Sequence, residues 1–160
     1  MSPKPVVVLL GSKADLDHAK QITASLDTFG IASEIRIGSA HKVTEYVLSM
    51  LQAYEAEPEP RIFVTVAGRS NALSGVVDAN VRGPVIACPP YSDKFGGMDL
   101  LSTDRMPSGV SPMGVLEPDA VGLAIAKMLA PSDASMAAKV ASYQSAQRDK
   151  VIADDRALRG

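Results

Sequence analysis

Cysteine, tryptophan and histidine are scarce in this 160-residue chain, which holds one Cys, no Trp and two His. A single thiol gives no disulfide framework, and Cys88 with His18 and His41 is too few for a four-ligand Cys/His site, which excludes structural zinc. Aromatic residues make up 4% of the chain, and 16 Lys+Arg against 18 Asp+Glu leave a net charge of -2. The calculated pI is about 5.6. With neither a basic footprint nor stacking platforms, no nucleic-acid partner is expected. Long hydrophobic runs are absent too. The opening MSPKPVVVLLG holds the apolar run Val6 to Leu10, far shorter than a membrane span and without the h-region and cleavage site of a signal peptide. The expectation is a cytoplasmic protein with no membrane partner.

What is present suits one core. Hydrophobic residues are 46% of the chain, and a domain of this size buries roughly 70% of the surface its unfolded chain exposes. Val6 to Leu10 is β-branched-rich without alternation, bounded by Pro5 and Gly11, as a strand covered on both faces would be. Leu16, Ala19, Ile22, Leu26 and Phe29 then recur at helical spacing, with Gly30 as a C-cap. Ile31 to Ile37 alternates like an edge strand, and Val43, Val47, Met50, Leu51 and Tyr54 form a second helical stripe. Further strands are expected over 62–67, 85–88 and 113–116, with a weak helix through about Val81 and a helix over 117–130. Residues 91–112 read as one long loop, and loops of that length are usually functional. From Ser132 to Leu158 a sparse stripe marks a last helix.

Strands alternating with helices, without repeats, predict an α/β fold: a three-layer α/β/α sandwich on a flavodoxin-like parallel sheet with a C-terminal helical extension. The expected organisation is an α/β domain over 1–131 and a C-terminal helix over 132–160, packing on the same or a neighbouring subunit. In such a sheet the ligand site lies beyond the carboxyl ends of the strands. Three loops meet there: 11–15, 39–42 and 68–71. All carry Ser and each brings a basic residue or an approachable glycine, which suits an anion.

In the first loop, Gly11 and Ser12 precede a helix N-terminus, where backbone N–H groups can meet a phosphate; Asp15 suits sugar hydroxyls. The spacing is neither GxGxxG nor GK[ST], and Ser12 or Asp15 as a plain helix cap is the structural alternative. His41 lies in a loop between Ala40 and Lys42, off any apolar stripe. An imidazole with an unperturbed pKa near ~6.5 can take and return a proton at neutral pH, making His41 the general acid/base candidate. Lys42 would neutralise a phosphate or carboxylate. Gly68, Arg69, Ser70 and Asn71 suit a small anion or carbonyl, with Asn71 or Ser70 as a cap the alternative. His18 falls off its helix's stripe and reads as a surface residue. Cys88 reads as core packing, with no thiolate partner near it in sequence.

Five motifs in order, GSKAD at 11–15, SAHK at 39–42, AGRSNALSG at 67–75, ACPP at 87–90 and MPSG at 106–109, resemble the PurE family of aminoimidazole ribonucleotide carboxylases and mutases. The resemblance spans roughly Pro5 to Ala130. The mutases resemble SAHR and AGGAAHLPG, with a second histidine; Lys42 stands here for that Arg and Ala72 where that histidine would fall, and both departures from the mutases resemble the second class, the animal and spirochaete-like carboxylases. The resemblance implies reversible carboxylation of 5-aminoimidazole ribonucleotide (AIR) at C4 by CO2, in purine biosynthesis. It implies no metal, biotin, ATP or flavin, and a homo-oligomer, octamer or tetramer, with sites at subunit interfaces. By the same resemblance, Gly11, Ser12, Asp15, Ser39, Ala40 and Lys42 hold phosphate and ribose, and His41 carries the proton. Gly68, Arg69, Ser70, Asn71 and Ala72 border the CO2 and base pocket, with Pro107 and Ser108 as possible loop contacts. Ala14 departs from the family's usual Ser, and Ala72 from the Gly of the animal carboxylases. The alternatives are an N5-carboxyaminoimidazole ribonucleotide mutase, which would want the second histidine, and a non-catalytic phosphosugar-binding domain, which would not need His41.

Overall fold

Val6–Leu10 forms β1, and none of its five side chains reaches solvent. The computed structural model describes residues 5–159; the ends of the two expected segments, at 1–4 and 160, lie outside the described residues. Along the chain follow α1 (Leu16–Asp27), β2 (Ser33–Ile37), α2 (Thr44–Glu55), β3 (Ile62–Val66), α3 (Ala72–Asp78) and β4 (Val85–Ala87). After them come α4 (Leu101–Asp104), β5 (Met113–Gly114), α5 (Val121–Leu129) and α6 (Ala134–Arg159). The sheet is parallel throughout, in the order β2-β1-β3-β4-β5. This is the flavodoxin-like order, whose chain reversal falls between β1 and β3.

Two cores flank the sheet, divided by the two-residue period of β1. Val6, Val8 and Leu10 face Ala19, Ile22 and Leu26 of α1, Val121 and Ile125 of α5, and Met136 and Val140 of α6. Val7 and Leu9 face Val47, Met50, Leu51 and Tyr54 of α2 and Leu73 and Val77 of α3. Burial of each such aliphatic side chain contributes about 1.5–3 kcal/mol. β2 is the edge strand that alternation called for, and no residue in it is fully buried.

Several boundaries differ from the sequence reading. The 91–112 stretch is not one loop: a 3-10 segment, Lys94–Leu100, runs into α4. Phe95, Gly96 and Gly97 are all left-handed there, a conformation that composition alone did not reveal for Phe95. β5 shrinks to two exposed residues at the sheet's other edge. Pro118–Ala120 makes a 3-10 turn, so α5 starts at Val121. α6 starts at Ala134 because the Asp133 carboxylate accepts from the N–H groups of Ser135 and Met136, 2.8 and 3.2 Å away. Its first turns hold to the domain through Phe29, whose carbonyl accepts from Lys139 Nζ at 2.7 Å and whose ring lies 5.2 Å from that of Tyr143. From Ser145 onward α6 is exposed. Among the described residues no helix is long and apolar enough to cross a membrane.

Helices α1 and α5 meet backbone to backbone. Gly122 N–H donates to Ser25 Oγ at 2.9 Å, and the same hydroxyl reaches Pro118 O at 3.0 Å. A Cβ on Gly122 would stand 2.0 Å from Ser25 O, a backbone atom that cannot turn aside. Gly122→Ala is therefore expected to separate the helices and cost about 1–3 kcal/mol or more. Urea unfolding measures it, and a variant as stable as the parent refutes the close-packing account.

Candidate active site

The carboxyl ends of four strands deliver loops to the same place. Gly11, Ser12, Ala14 and Asp15 follow β1, Ser39 to Lys42 follow β2, Ala67 to Ser70 with Leu73 follow β3, and Pro90, Tyr91, Ser92 and Lys94 follow β4. Together they line a cleft of about 560 Å³. Three cationic side chains, Lys42, Arg69 and Lys94, face one carboxylate, Asp15, so the cleft favours an anion. A smaller hollow of about 370 Å³ at the opposite ends of the strands is lined by Pro5 and residues 57–61. Its only basic residue, Arg61, is ion-paired with Glu57, and no loops converge on it. Among the described residues no three His, Cys, Asp or Glu side chains group as a metal site.

The β1 loop is partly self-satisfied. Gly11 N–H donates to Val66 O at 2.9 Å, and so is not available to a phosphate. Ser12 Oγ accepts from Ala14 N–H at 3.2 Å, capping the 3-10 turn Lys13–Asp15, and donates to Asp15 Oδ2 at 3.1 Å. The capping alternative therefore holds for Ser12, while Asp15 makes no cap hydrogen bond. The β2 loop turns at Gly38, where a Cβ would stand 2.8 Å from Val47 Cγ2, so glycine alone fits against α2. Val43 N–H closes the turn onto Ser39 O at 3.0 Å, leaving His41 and Lys42 exposed at its tip.

The β3 loop is held from below by a buried polar chain. Asn71 is inside rather than on the cleft: Oδ1 accepts from Ser74 N–H and Oγ, at 3.2 and 2.8 Å, and Nδ2 donates to Thr103 Oγ1 at 2.9 Å. Thr65 Oγ1 continues the chain, 2.7 Å from Ser74 Oγ. Ser102 Oγ lies 2.9 Å from Arg69 O and 3.0 Å from Asn71 N. These bonds hold Arg69 in the left-handed region, at φ 60°, which a non-glycine residue adopts only when its surroundings fix it. Ala72 N–H turns onto Ser70 O at 3.0 Å. The N–H groups of Asn71 and Ala72 are thus engaged within the chain, and neither residue lines the cleft.

Of the residues expected at the site, Gly11, Ser12, Asp15, Ser39, Ala40, His41, Lys42, Gly68, Arg69 and Ser70 come together in the cleft. Pro107 and Ser108 do not reach it. Met106 packs over Gly75, and Ser111 N–H donates to Asp78 Oδ2 at 2.7 Å, which ties that stretch along α3 toward its far end. Sequence reasoning missed Ala14, Ala67, Leu73, Pro90, Tyr91, Ser92 and Lys94 as lining residues. The signal for most of them was their place directly after β4, where a fourth loop had to emerge beside the β3 loop.

His18 and Cys88 also differ from expectation. His18 is half-buried, with Nε2 3.2 Å from Cys88 O and 3.4 Å from Cys88 Sγ. An imidazole therefore does adjoin the thiol. Burial nevertheless pushes the thiol up from its usual 9.0 to about 12, helped by the negative charges of Glu117 and Asp119, so no thiolate forms at neutral pH.

Comparison with known proteins agrees with the fold and the motifs. The AIR carboxylase family model matches residues 5–150. The chain belongs to the AIR carboxylase family. A phosphoribosylaminoimidazole carboxylase of Treponema denticola is 51% identical over 154 residues, which are 96% of this chain and 97% of that protein. A protein of the same name from Archaeoglobus fulgidus is 53% identical over 96% of this chain and 84% of its own. The crystal structure of Treponema denticola PurE superposes with a TM-score of 0.94 at 50% identity, covering 97% of this chain and 98% of that one.

For this AIR carboxylase family member, the Cys88 environment sets a measurable prediction. The folded chain should resist a thiol reagent at pH 8 and react once unfolded. Because the folded thiol titrates near 12 and the unfolded one near 9.0, its contribution to stability is full below about 9 and lost between 9 and 12. Rapid labelling of the folded chain at pH 8 contradicts the buried, neutral thiol.

Proposed function

We propose that the chain carboxylates AIR to 4-carboxy-5-aminoimidazole ribonucleotide, reversibly, in purine biosynthesis in the cytoplasm, without metal, biotin, ATP or flavin. The observation that carries this reading is the cleft at the carboxyl ends of β1, β2 and β3, where family motifs bring His41 beside cationic and hydroxyl groups. The carboxylases of Treponema denticola and Archaeoglobus fulgidus, each about half identical to this chain over nearly its whole length, support the same activity.

The chemistry asks little beyond placement. AIR is enamine-like, and its C4 is a carbon nucleophile that forms a bond to CO2 when the two are held together. Ser12, Asp15, Ser39 and Lys42 hold the phosphate and ribose, and Gly68, Arg69 and Ser70 place CO2 against the ring. Bond formation leaves C4 with both its proton and a new carboxylate. His41 takes that proton, the C–H electron pair returns to the ring, and aromaticity is restored. In reverse, protonated His41 delivers the proton to C4 and CO2 leaves.

The same reading makes the chain a homo-oligomer, octamer or tetramer, with sites at subunit interfaces. The apolar residues that the end of α6 leaves exposed, Val151, Ile152 and Leu158, support docking of that helix on another copy.

Three measurements test these statements. Purified protein supplied with AIR and CO2, without ATP, should form the 4-carboxylated product at a rate rising with CO2. Turnover of the N5-carboxylated compound alone identifies a mutase, and turnover of neither identifies a binding domain. His41→Asn should lower kcat by about 10²–10⁴-fold with AIR binding retained; near-normal turnover removes His41 from the chemistry. Sedimentation should show four or eight subunits, and Val151→Asp with Ile152→Asp should lower that number. A parent chain that sediments as a monomer at micromolar concentration overturns the assembly.

A further inference from the structure

We propose that His18 is a positioning residue that fixes the Pro90–Ser92 wall of the cleft against the Ser12–Asp15 loop, an inference that rests on the carboxylase reading for its substrate. The β4 ladder ends at Ala87, whose carbonyl accepts from Val115 N–H at 3.0 Å. Cys88 still donates its N–H to Thr65 O at 2.9 Å, but its own carbonyl has passed beyond the strand pairing, in a residue with no exposed surface. Pro89 and Pro90 follow and bring no N–H with which the chain could close a turn. A buried carbonyl needs a donor from elsewhere. His18 Nε2, 3.2 Å away across 70 residues of sequence, supplies it in the tautomer that carries its hydrogen on Nε2.

The bond joins two parts of the cleft that the sheet does not pair directly, since β3 lies between β1 and β4. His18 sits in the first turn of α1, directly after the loop that carries Ser12 and Asp15. Cys88 is two residues before Pro90, where the β4 side of the cleft begins. A ring donor is suited to this span because it is rigid and projects from a helix already clamped to the sheet. The nearby Sγ, 3.4 Å from the same nitrogen, belongs to a neutral thiol, so the pair is not a nucleophile and its base. The carbonyl, present whatever residue stands at 88, is the partner that matters.

The test compares AIR binding by calorimetry with turnover for the full chain and its variants. His18→Ala should weaken AIR binding and raise KM by about tenfold, with kcat within about twofold of the parent. His18→Gln, whose amide nitrogen reaches the position of Nε2, should restore both to within about threefold. Cys88→Ala keeps the carbonyl and should leave AIR affinity unchanged. Should His18→Ala fail to fold, His18→Asn, with an amide too short to reach, gives the same contrast with Gln. A purely structural role for His18 lowers Tm or the active fraction while KM and Kd stay at parental values, and that result overturns the proposal. So does equal loss in Gln and Ala. A parent chain that binds AIR but does not carboxylate it sinks the functional reading instead, and the binding comparison then decides the role of His18 alone.

Discussion

Everything at the cleft depends on one constraint: β1 and β3 are buried on both faces and run in register, so their carboxyl ends are fixed together. Val6 pairs with Ile62 and Leu10 with Val66. Gly11 N–H then adds one more hydrogen bond, to Val66 O. Two loops that must leave the sheet at the same level have no freedom in where they start. The chain reverses its direction of winding between these strands, which opens the crevice there. Burial of the strands is thus what positions polar groups that are themselves exposed, among them Arg69 and Ser70.

Beyond the strand ends, hydrogen bonds take over from packing. Asn71 and Ser102 hold the β3 loop, Gly38 lets the β2 loop lie against Val47, and His18 reaches the end of β4. None of these groups has to touch a ligand. Their effect is to lower the freedom of the loops that do, so that less order has to be created when substrate arrives. Arg69 shows the strength of that restraint, since its left-handed backbone carries a steric cost that the Ser102 and Asn71 bonds offset.

The sequence made the fold legible where one physical signal dominated. Val6 to Leu10 has no polar interruption, and only a strand covered on both faces accommodates it. The cleft loops followed from the strands, because a parallel sheet leaves its carboxyl ends no other use. What stayed hidden were side chains whose choice between two partners is tertiary. Asn71 could face a ligand or cap α3, and it caps α3, with Oδ1 accepting from Ser74 N–H and Nδ2 donating inward to Thr103 Oγ1. His18 lies off the apolar stripe of α1 and reads as a surface residue, since nothing local says that a strand 70 residues away ends on an unpaired carbonyl. Phe95 was illegible for a similar reason: a left-handed aromatic residue is disfavoured locally, and only its two following glycines hint at the turn. The five motifs carried the family because their order and spacing are set by the strand ends that display them.

The proposed chemistry sets a requirement that a single chain meets only in part. A carboxylation that relies on holding CO2 against a carbon nucleophile works best where water is excluded, because water competes for the pocket and screens the charges that hold the substrate. In one copy the cleft is open along the side formed by the β4 loop, where Tyr91 is 80% and Phe95 76% exposed. Apolar side chains of that size left bare beside a charged cleft are costly in water, and covering them would both stabilise the chain and dry the site. The proposed assembly of identical copies supplies such a cover at no cost in new sequence. On that proposed assembly, a copy seated over Tyr91 and Phe95 would serve stability and chemistry together, beside the docking proposed for the end of α6.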